Sequence, residues 1–347
     1  MTTTTVREDR PRQRALDRAA GVWSATSRYA AVLVLLAALF VAFAATQNNF
    51  LTSSNIENLL TSVSILWVVS IAMTFVVLTA GIDLSVGSLL ALSGIILSHL
   101  LNNAGLPGWL AVICTLLAGA VIGGAVNGVL IGRVGLSFFV VTLGTLSLYE
   151  GIVNIWSDTK TTYITSSLID HIGFGKLLGV AYPIWLMIIT FAVAFVVLRW
   201  TYFGRDVYAV GGNIDAARLS GINVGRTLMA VYAIAGLGAA LGGIIQAGRL
   251  GAASPLVGQD IPLAAAAAVL LGGTSFTGGV GSVVGTAVGV LFIGTLQNGL
   301  SIAGVSSFWQ QVVTGVILIV AVSIDRLQRN PSGRFIRRRD TPVKQGG

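Results

Sequence analysis

Residues Thr61–Leu101 read TSVSILWVVSIAMTFVVLTA, then GIDLSVGS, then LLALSGIILSHLL. Two apolar runs, Thr61–Ala80 and Leu84–Leu101, are separated only by Gly81, Ile82 and Asp83. A helix that crosses a bilayer needs about 20 predominantly apolar residues. Two such helices joined by three residues cannot both be full-length and straight, so the spacing predicts a broken crossing around Asp83. Composition agrees with a membrane setting. Hydrophobic residues make up 54% of the 347 and charged residues only 10%, and mean hydropathy is +0.86. A soluble chain of this length carries about a quarter charged residues. The 43 glycines suit helices that pack backbone to backbone where lipid supplies no hydrophobic drive.

Eight further runs extend the pattern outward: Arg28–Thr46, Trp109–Ile131, Phe138–Ser157, Val180–Arg199, Thr227–Gln246, Ile261–Ser275, Val280–Leu300 and Phe308–Ile324. The expectation is an all-α polytopic membrane protein with about ten transmembrane helices, occupying residues 28–325. Residues 1–27 read as a disordered tail and 326–347 as a basic tail. Lysine and arginine set orientation, because they are retained on the cytoplasmic side. With the N-terminus inside, 18 basic residues fall on the cytoplasmic side and only Lys160, Lys176 and Arg249 fall outside. Both termini are then cytoplasmic. The same clustering beside apolar runs reads the net charge of +8 as topology and not as a nucleic-acid surface. Ala42-Phe43-Ala44 resembles a signal cleavage site, but the basic lead-in is long and many spans follow.

One internal match stands out. Ile122-Gly123-Gly124-Ala125-Val126-Asn127-Gly128 parallels Ile293-Gly294-Thr295-Leu296-Gln297-Asn298-Gly299, at an offset of 171 residues. That offset lays spans 2–5 on spans 7–10. Five spans is an odd number, so the copies would run oppositely, as inverted repeats in transport folds do. Chance matching of Gly- and Ala-rich helices is the other reading.

Two acids fall within or between spans. An ionised Asp in lipid costs roughly 2.5–3.5 kcal/mol on insertion scales, so such residues face a polar cavity or a partner. Asp83 is placed to cap a helix that begins at Leu84, with Ser85 and Ser88 adding hydroxyls. A structural break and a direct pathway role are both open to it. Glu150, read as buried in span 5, lines a wet path, sits at an outer mouth, or pairs with a group on another helix.

The segment 200–226 is too polar to span. In it Asn213 is a good N-cap, Asp215 falls in the first turn where the helix dipole favours an acid, and Gly221 can end the helix. One short cytoplasmic helix follows, either a docking element for a soluble partner or a connector on the membrane. No phosphate-cradling Gly-x-x-x-x-Gly-Lys-Ser/Thr motif occurs, and no nucleophile–base pair stands out. Cys114 is the single cysteine, which excludes an intrachain disulfide, and with His99 and His171 the only histidines a Cys/His metal site is not expected. A secondary transporter would have only Asp83 and Glu150 for its coupling ion and no use for a docking loop.

These segments together resemble the ribose/xylose/galactose-type permeases of ATP-binding-cassette importers, over nearly the whole chain after residue 45. The resemblance rests on Gly81–Ser88, Phe139–Thr145, Tyr208–Asn213, Ala216–Ile222, Gly272–Ser275 and Gly278–Ser282. In that family the cytoplasmic loop carries a Glu-Ala-Ala-x-x-x-Gly coupling helix, which here looks like Asp215-Ala216-Ala217 followed by Gly221. The resemblance therefore implies ATPase-coupling roles for Asn213, Asp215, Ala216, Ala217, Arg218, Leu219 and Gly221. Pathway candidates are Asp83, Ser85, Ser88, Asn127, Glu150 and Asn298. The chain departs from the family's pattern at Asp260-Ile261-Pro262-Leu263 and at Glu150-Gly151, which bears on substrate identity. The implied cargo is a monosaccharide, or alternatively a nucleoside or sugar-like signal molecule. The implied partners are a second permease copy or homologue, a cytoplasmic ATPase subunit that holds ATP and magnesium, and an extracytoplasmic sugar-binding protein. The chain itself is expected to hold no cofactor, to hydrolyse nothing, and to reside in the inner membrane.

Overall fold

The computed structural model describes residues 30–329. The expected tail 1–27, the start of the first span at Arg28, and the far end of the basic tail lie outside the described residues. The chain forms α1 (Ala30–Thr46), α2 (Ser53–Leu78), α3 (Val86–Asn102), α4 (Gly108–Gly132) and α5 (Phe138–Ser157). A small outlying segment carries β1 (Thr162–Tyr163), α6 (Ser167–Phe174), β2 (Lys176–Leu177) and β3 (Val180–Ala181). The second half holds α7 (Tyr182–Trp200), α8 (Tyr202–Gly212), α9 (Ile214–Leu219), α10 (Val224–Leu250), β4 (Ala252–Ala253), α11 (Ile261–Leu271), α12 (Val283–Ile302) and α13 (Ser307–Arg329). The strands are two short antiparallel pairs, β1 with β4 and β2 with β3.

Among the described residues, six helices are long and apolar enough to cross a membrane: α2, α4, α5, α7, α10 and α12. Four more stretches are apolar but shorter, namely α1, α3, α11 and Ser307–Ser323 of α13. The span Phe138–Ser157 coincides with α5. The second span is longer than expected. Thr52 caps α2 by accepting from the Asn55 N–H, so the helix begins in the polar Ser53–Asn58 stretch, which a hydropathy reading discards. The eighth span shortens to α11, because Pro262 sits in its first turn and Gly272 ends it.

The two longest helices, α2 and α10, pack on each other at the centre. From Val63 to Leu78, α2 is buried on every face, which is why its apolar residues show no periodicity. Around this pair, α3 and α4 lie on α10, and α11 and α12 lie on α2. Helix α5 packs on α3, and α13 on α11. Small residues set the closest crossings. A Cβ on Gly236 of α10 would sit 2.1 Å from the Gly119 carbonyl oxygen of α4. At Gly123–Gly128 the α4 backbone widens into one π-helical turn, a distortion that often marks functional sites.

Segment 200–226 holds two helices where one was expected. Thr201 caps α8 by accepting from the Gly204 N–H at 3.1 Å. Asn213 then interrupts it and caps α9, its side-chain oxygen accepting from the N–H groups of Asp215 at 3.0 Å and Ala216 at 2.9 Å. Gly221, at φ +84°, closes the segment in a conformation that side chains with a Cβ rarely adopt.

Candidate functional site

The broken crossing between α2 and α3 brings three candidate residues together. After Leu78 the backbone turns, with Ala80 in the left-handed region at φ +62°. Asp83 is 1% exposed. Its Oδ1 accepts from the Ser85 N–H at 2.9 Å and from the Ser85 hydroxyl at 2.6 Å. The Asn127 amide nitrogen, from the π turn of α4, lies 2.9 Å from Ser85 Oγ and 3.4 Å from Asp83 Oδ2.

The expectation that Asp83 caps a helix starting at Leu84 is corrected. The helix begins at Val86 with Ser85 at the cap position, and no side-chain cap bond forms there. Asp83 instead closes a local turn onto the backbone two residues on, as Asx residues do. Among the described residues no ion pair holds Asp83, so neutral donors alone offset its desolvation. Close by are further buried oxygens. Asn127 Oδ1 and the hydroxyls of Tyr149 and Tyr232 have no hydrogen-bond partner. Ser88 bonds back to the Ser85 carbonyl at 3.0 Å.

A purely shape-setting Asp83 has testable consequences. Asp83→Asn keeps the size of the side chain and one oxygen for Ser85, so the normally inserted protein is expected to keep most of its transport. Asp83→Ala strands the Ser85 N–H and hydroxyl donors, at about 1–3 kcal/mol for each buried group, and is expected to lower the unfolding temperature clearly. Complete loss of transport in a well-inserted Asp83→Asn protein would reject this role.

Two cavities flank the segment 255–262. The first holds about 310 Å³. Its polar lining is Ser88, Glu150 and Gln259, and its apolar lining includes Leu84, Leu146, Val153 and Pro262. Glu150 is thus exposed to a cavity, which corrects its reading as a buried acid: the helix it stands on has only six buried residues, on one face. The second cavity, about 380 Å³, opens near the start of α2 and the end of α10 and is lined by Ser62, Gln246, Arg249, Asp260 and Gln297. Arg249 donates to Ser62 Oγ at 3.0 Å. Val257 and Gly258 border both spaces.

Between them the chain is in backbone contact. A Cβ on Gly87 would lie 2.2 Å from the Gly258 carbonyl oxygen, and one on Gly258 would lie 2.5 Å from the Gly87 carbonyl oxygen. Gly258 also sits at φ +84°. Gly87 lies within the Gly81–Ser88 motif, but nothing local marks its contact with Gly258, 171 residues further along the chain. Asn298 belongs to neither cavity's lining. It exchanges two 3.0 Å hydrogen bonds with Asn55 at the start of α2, so it clamps two helices.

On α9 the exposed side chains are Ile214, Asp215, Ala216, Arg218 and Leu219, and Leu219 is 89% exposed. Ala217 is corrected. It is buried, packed with Val210, Val224 and Leu228, because its position on the short helix faces the chain's own α8–α10 elbow. Any partner would meet Ala216 and Leu219, not Ala217.

Six long apolar helices among the described residues, with a broken crossing between two helices at Asp83, define a polytopic membrane protein. The sequence profile described as "branched-chain amino acid transport system / permease component" matches residues 55–322, so the chain belongs to that permease family. It is 41% identical over 297 residues to the ribose import permease protein RbsC of Escherichia coli K12, covering 84% of this chain and 92% of the relative. To RbsC of Bacillus subtilis 168 it is 43% identical over 280 residues, covering 80% and 86%. To the L-arabinose ABC transporter permease protein AraH of Azospirillum brasilense it is 37% identical over 313 residues, covering 89% and 91%. No solved structure matches. The chain is accordingly a multi-pass membrane protein of the permease class.

Proposed function

We propose that this chain is the membrane-spanning subunit of an importer that carries a monosaccharide across the inner membrane, driven by ATP hydrolysis on a separate cytoplasmic subunit. The observation that carries the reading is the similarity, across most of their length, to permeases named for ribose and arabinose. The α9 geometry supports coupling. A capped two-turn helix presents an 89%-exposed leucine on a segment that the distribution of arginines puts in the cytoplasm. An apolar tip on a polar loop suits insertion into a partner's cleft. A second permease copy and an extracytoplasmic binding protein complete the expected assembly.

The same reading has ten spans, with both termini inside. The pairings of the helices support an inverted repeat of α2–α5 on α10–α13. Shifting α2 by 171 residues lands on α10, and α3, α4 and α5 then land on α11, α12 and α13. The contacts come in matched pairs under this exchange. The contact α3–α10 answers α2–α11, α4–α10 answers α2–α12, and α3–α5 answers α11–α13. Chance similarity of Gly-rich segments does not reproduce a packing pattern.

The test is a pair of substitutions on α9. Leu219→Asp and Ala216→Glu leave the buried side of the helix intact, so the chain is expected to insert normally. Each places a charge where a partner would close over it, and one misplaced interface group costs about 2–4 kcal/mol at a hot spot. Affinity for the ATPase is expected to fall about 30-fold or more, and uptake in vesicles to fall with it. Normal ATPase binding and uptake by both variants would reduce α9 to a connector. Uptake driven by a proton or sodium gradient without any ATPase subunit would overturn the whole reading.

A further inference from the structure

Resting on the importer reading above, we propose that the cavity beside Glu150 is a solute subsite, and that Glu150 sets its specificity: it accepts neutral polyhydroxylated sugars and amino sugars and rejects phosphorylated or carboxylated ones. At about 310 Å³ the space falls at the lower end of small-molecule sites, roughly 300–1,000 Å³. Its wall has the make-up of such a site, mostly apolar with a few polar groups. The Leu84, Leu146, Val153 and Pro262 side chains supply the apolar part, and Ser88, Gln259 and Glu150 supply the polar part.

The chemistry of the polar set is directional. A carboxylate only accepts, through two oxygens with about four acceptor positions. Neighbouring hydroxyls of a sugar ring are donors at matched spacing, and bonds to an ionised acceptor are roughly twice as strong as neutral ones. Gln259 and Ser88 can each donate and accept, so they complement a hydroxyl of either sense.

Charge decides what is excluded. Glu150 is the one charged side chain lining this cavity, and among the described residues no ion pair compensates it. A phosphate or carboxylate on the solute would face it without a cation. An ammonium would pair with it. The other cavity carries both Arg249 and Asp260, so it does not sort solutes by sign. Discrimination by charge therefore belongs to the Glu150 side of the segment 255–262.

The experiment reads the subsite directly, without a binding protein. Gln259→Cys in a Cys114→Ser background places a thiol on the cavity wall in the purified full-length chain. Protection of that thiol from a maleimide is titrated with D-ribose, D-glucosamine and ribose 5-phosphate. With Glu150 present, the two non-anionic sugars are expected to protect at concentrations at least about tenfold below the phosphate, as an uncompensated like charge at contact distance implies. Glu150→Gln is expected to bring the ratio close to one, and Glu150→Arg to invert it. An unchanged ranking in all three proteins, or no protection by any solute, overturns the proposal. ATPase-dependent sugar uptake by the unsubstituted chain is measured alongside. Its persistence with an unchanged ranking removes the subsite and leaves the importer reading, whereas its absence removes the importer reading itself.

Discussion

Gly211→Val is expected to abolish uptake, and Gly211→Ala is expected to separate ATPase binding from transport. Gly211 is in the last turn of α8, two residues before the Asn213 cap of α9. A Cβ there would lie 1.7 Å from the Leu78 carbonyl oxygen at the end of α2 and 2.6 Å from the Gly279 nitrogen. Those two atoms already share a hydrogen bond of 2.9 Å. Nearby, the Tyr208 hydroxyl donates to the Gly281 carbonyl at 2.9 Å. The proposed coupling segment is therefore seated, backbone on backbone, against the end of α2 just before the Asp83 turn and against the loop that precedes α12. A methyl must push α8 away, and forced repacking of this kind costs about 1–3 kcal/mol. α9 itself is untouched, so the ATPase is expected to bind Gly211→Ala with near-normal affinity. ATP hydrolysis should then continue while uptake falls about tenfold or more, the rate change a 1.4 kcal/mol shift supplies. The isopropyl group of Val cannot be absorbed, and that protein is expected to transport nothing. Unimpaired uptake by Gly211→Val would show that the contact carries no force.

Why this contact escapes a sequence reading is instructive beside what does not. Phe138–Ser157 was legible to the residue, because Ser137 and Asp158 bracket a predominantly apolar run of membrane-spanning length. The Asn213 cap was legible because capping is a local code. Hydropathy hid the start of α2, whose first turns are polar. The π turn at Gly123–Gly128 has no composition of its own, so the displacement of Asn127 toward Asp83 could not be foreseen, although both residues were candidates. Burial of single positions was the weakest reading. Ala217 and Ala216 are identical in type and adjacent, yet one is buried and the other exposed, and only the packing of Val210 and Leu228 against α9 decides which. Glu150 came out exposed for the same reason, since a run of apolar residues does not say which face looks at protein.

Gly87→Ala is expected to remove ATP-driven uptake almost entirely while the protein still reaches the membrane. The new methyl would lie 2.2 Å from the Gly258 carbonyl oxygen and 2.9 Å from two carbons of the Pro262 ring. Neither neighbour is a flexible side-chain tip. Gly258 holds a left-handed backbone, and Pro262 is fixed in the first turn of α11, so the segment 255–262 must shift as a unit. That segment borders the Glu150 cavity on one side and the Arg249–Asp260 cavity on the other. Prising it from α3 joins the two spaces, and the proposed solute path then loses the wall between them. Stability should fall by about 1–3 kcal/mol, the usual result of overpacking, which leaves a foldable chain. Gly258→Ala adds a left-handed residue with a Cβ, about 1–2 kcal/mol more, and is expected to be worse in both respects. A thiol at Gln259, where the wall stands exposed, should react faster in Gly87→Ala than in the parent, because the wall has moved. Uptake within about twofold of normal in Gly87→Ala, with the Gln259 thiol reacting at the parental rate, would mean that α3 and the segment 255–262 can part without consequence, and that the barrier to the solute lies elsewhere in the bundle; the twofold margin is the change that about 0.4 kcal/mol would make.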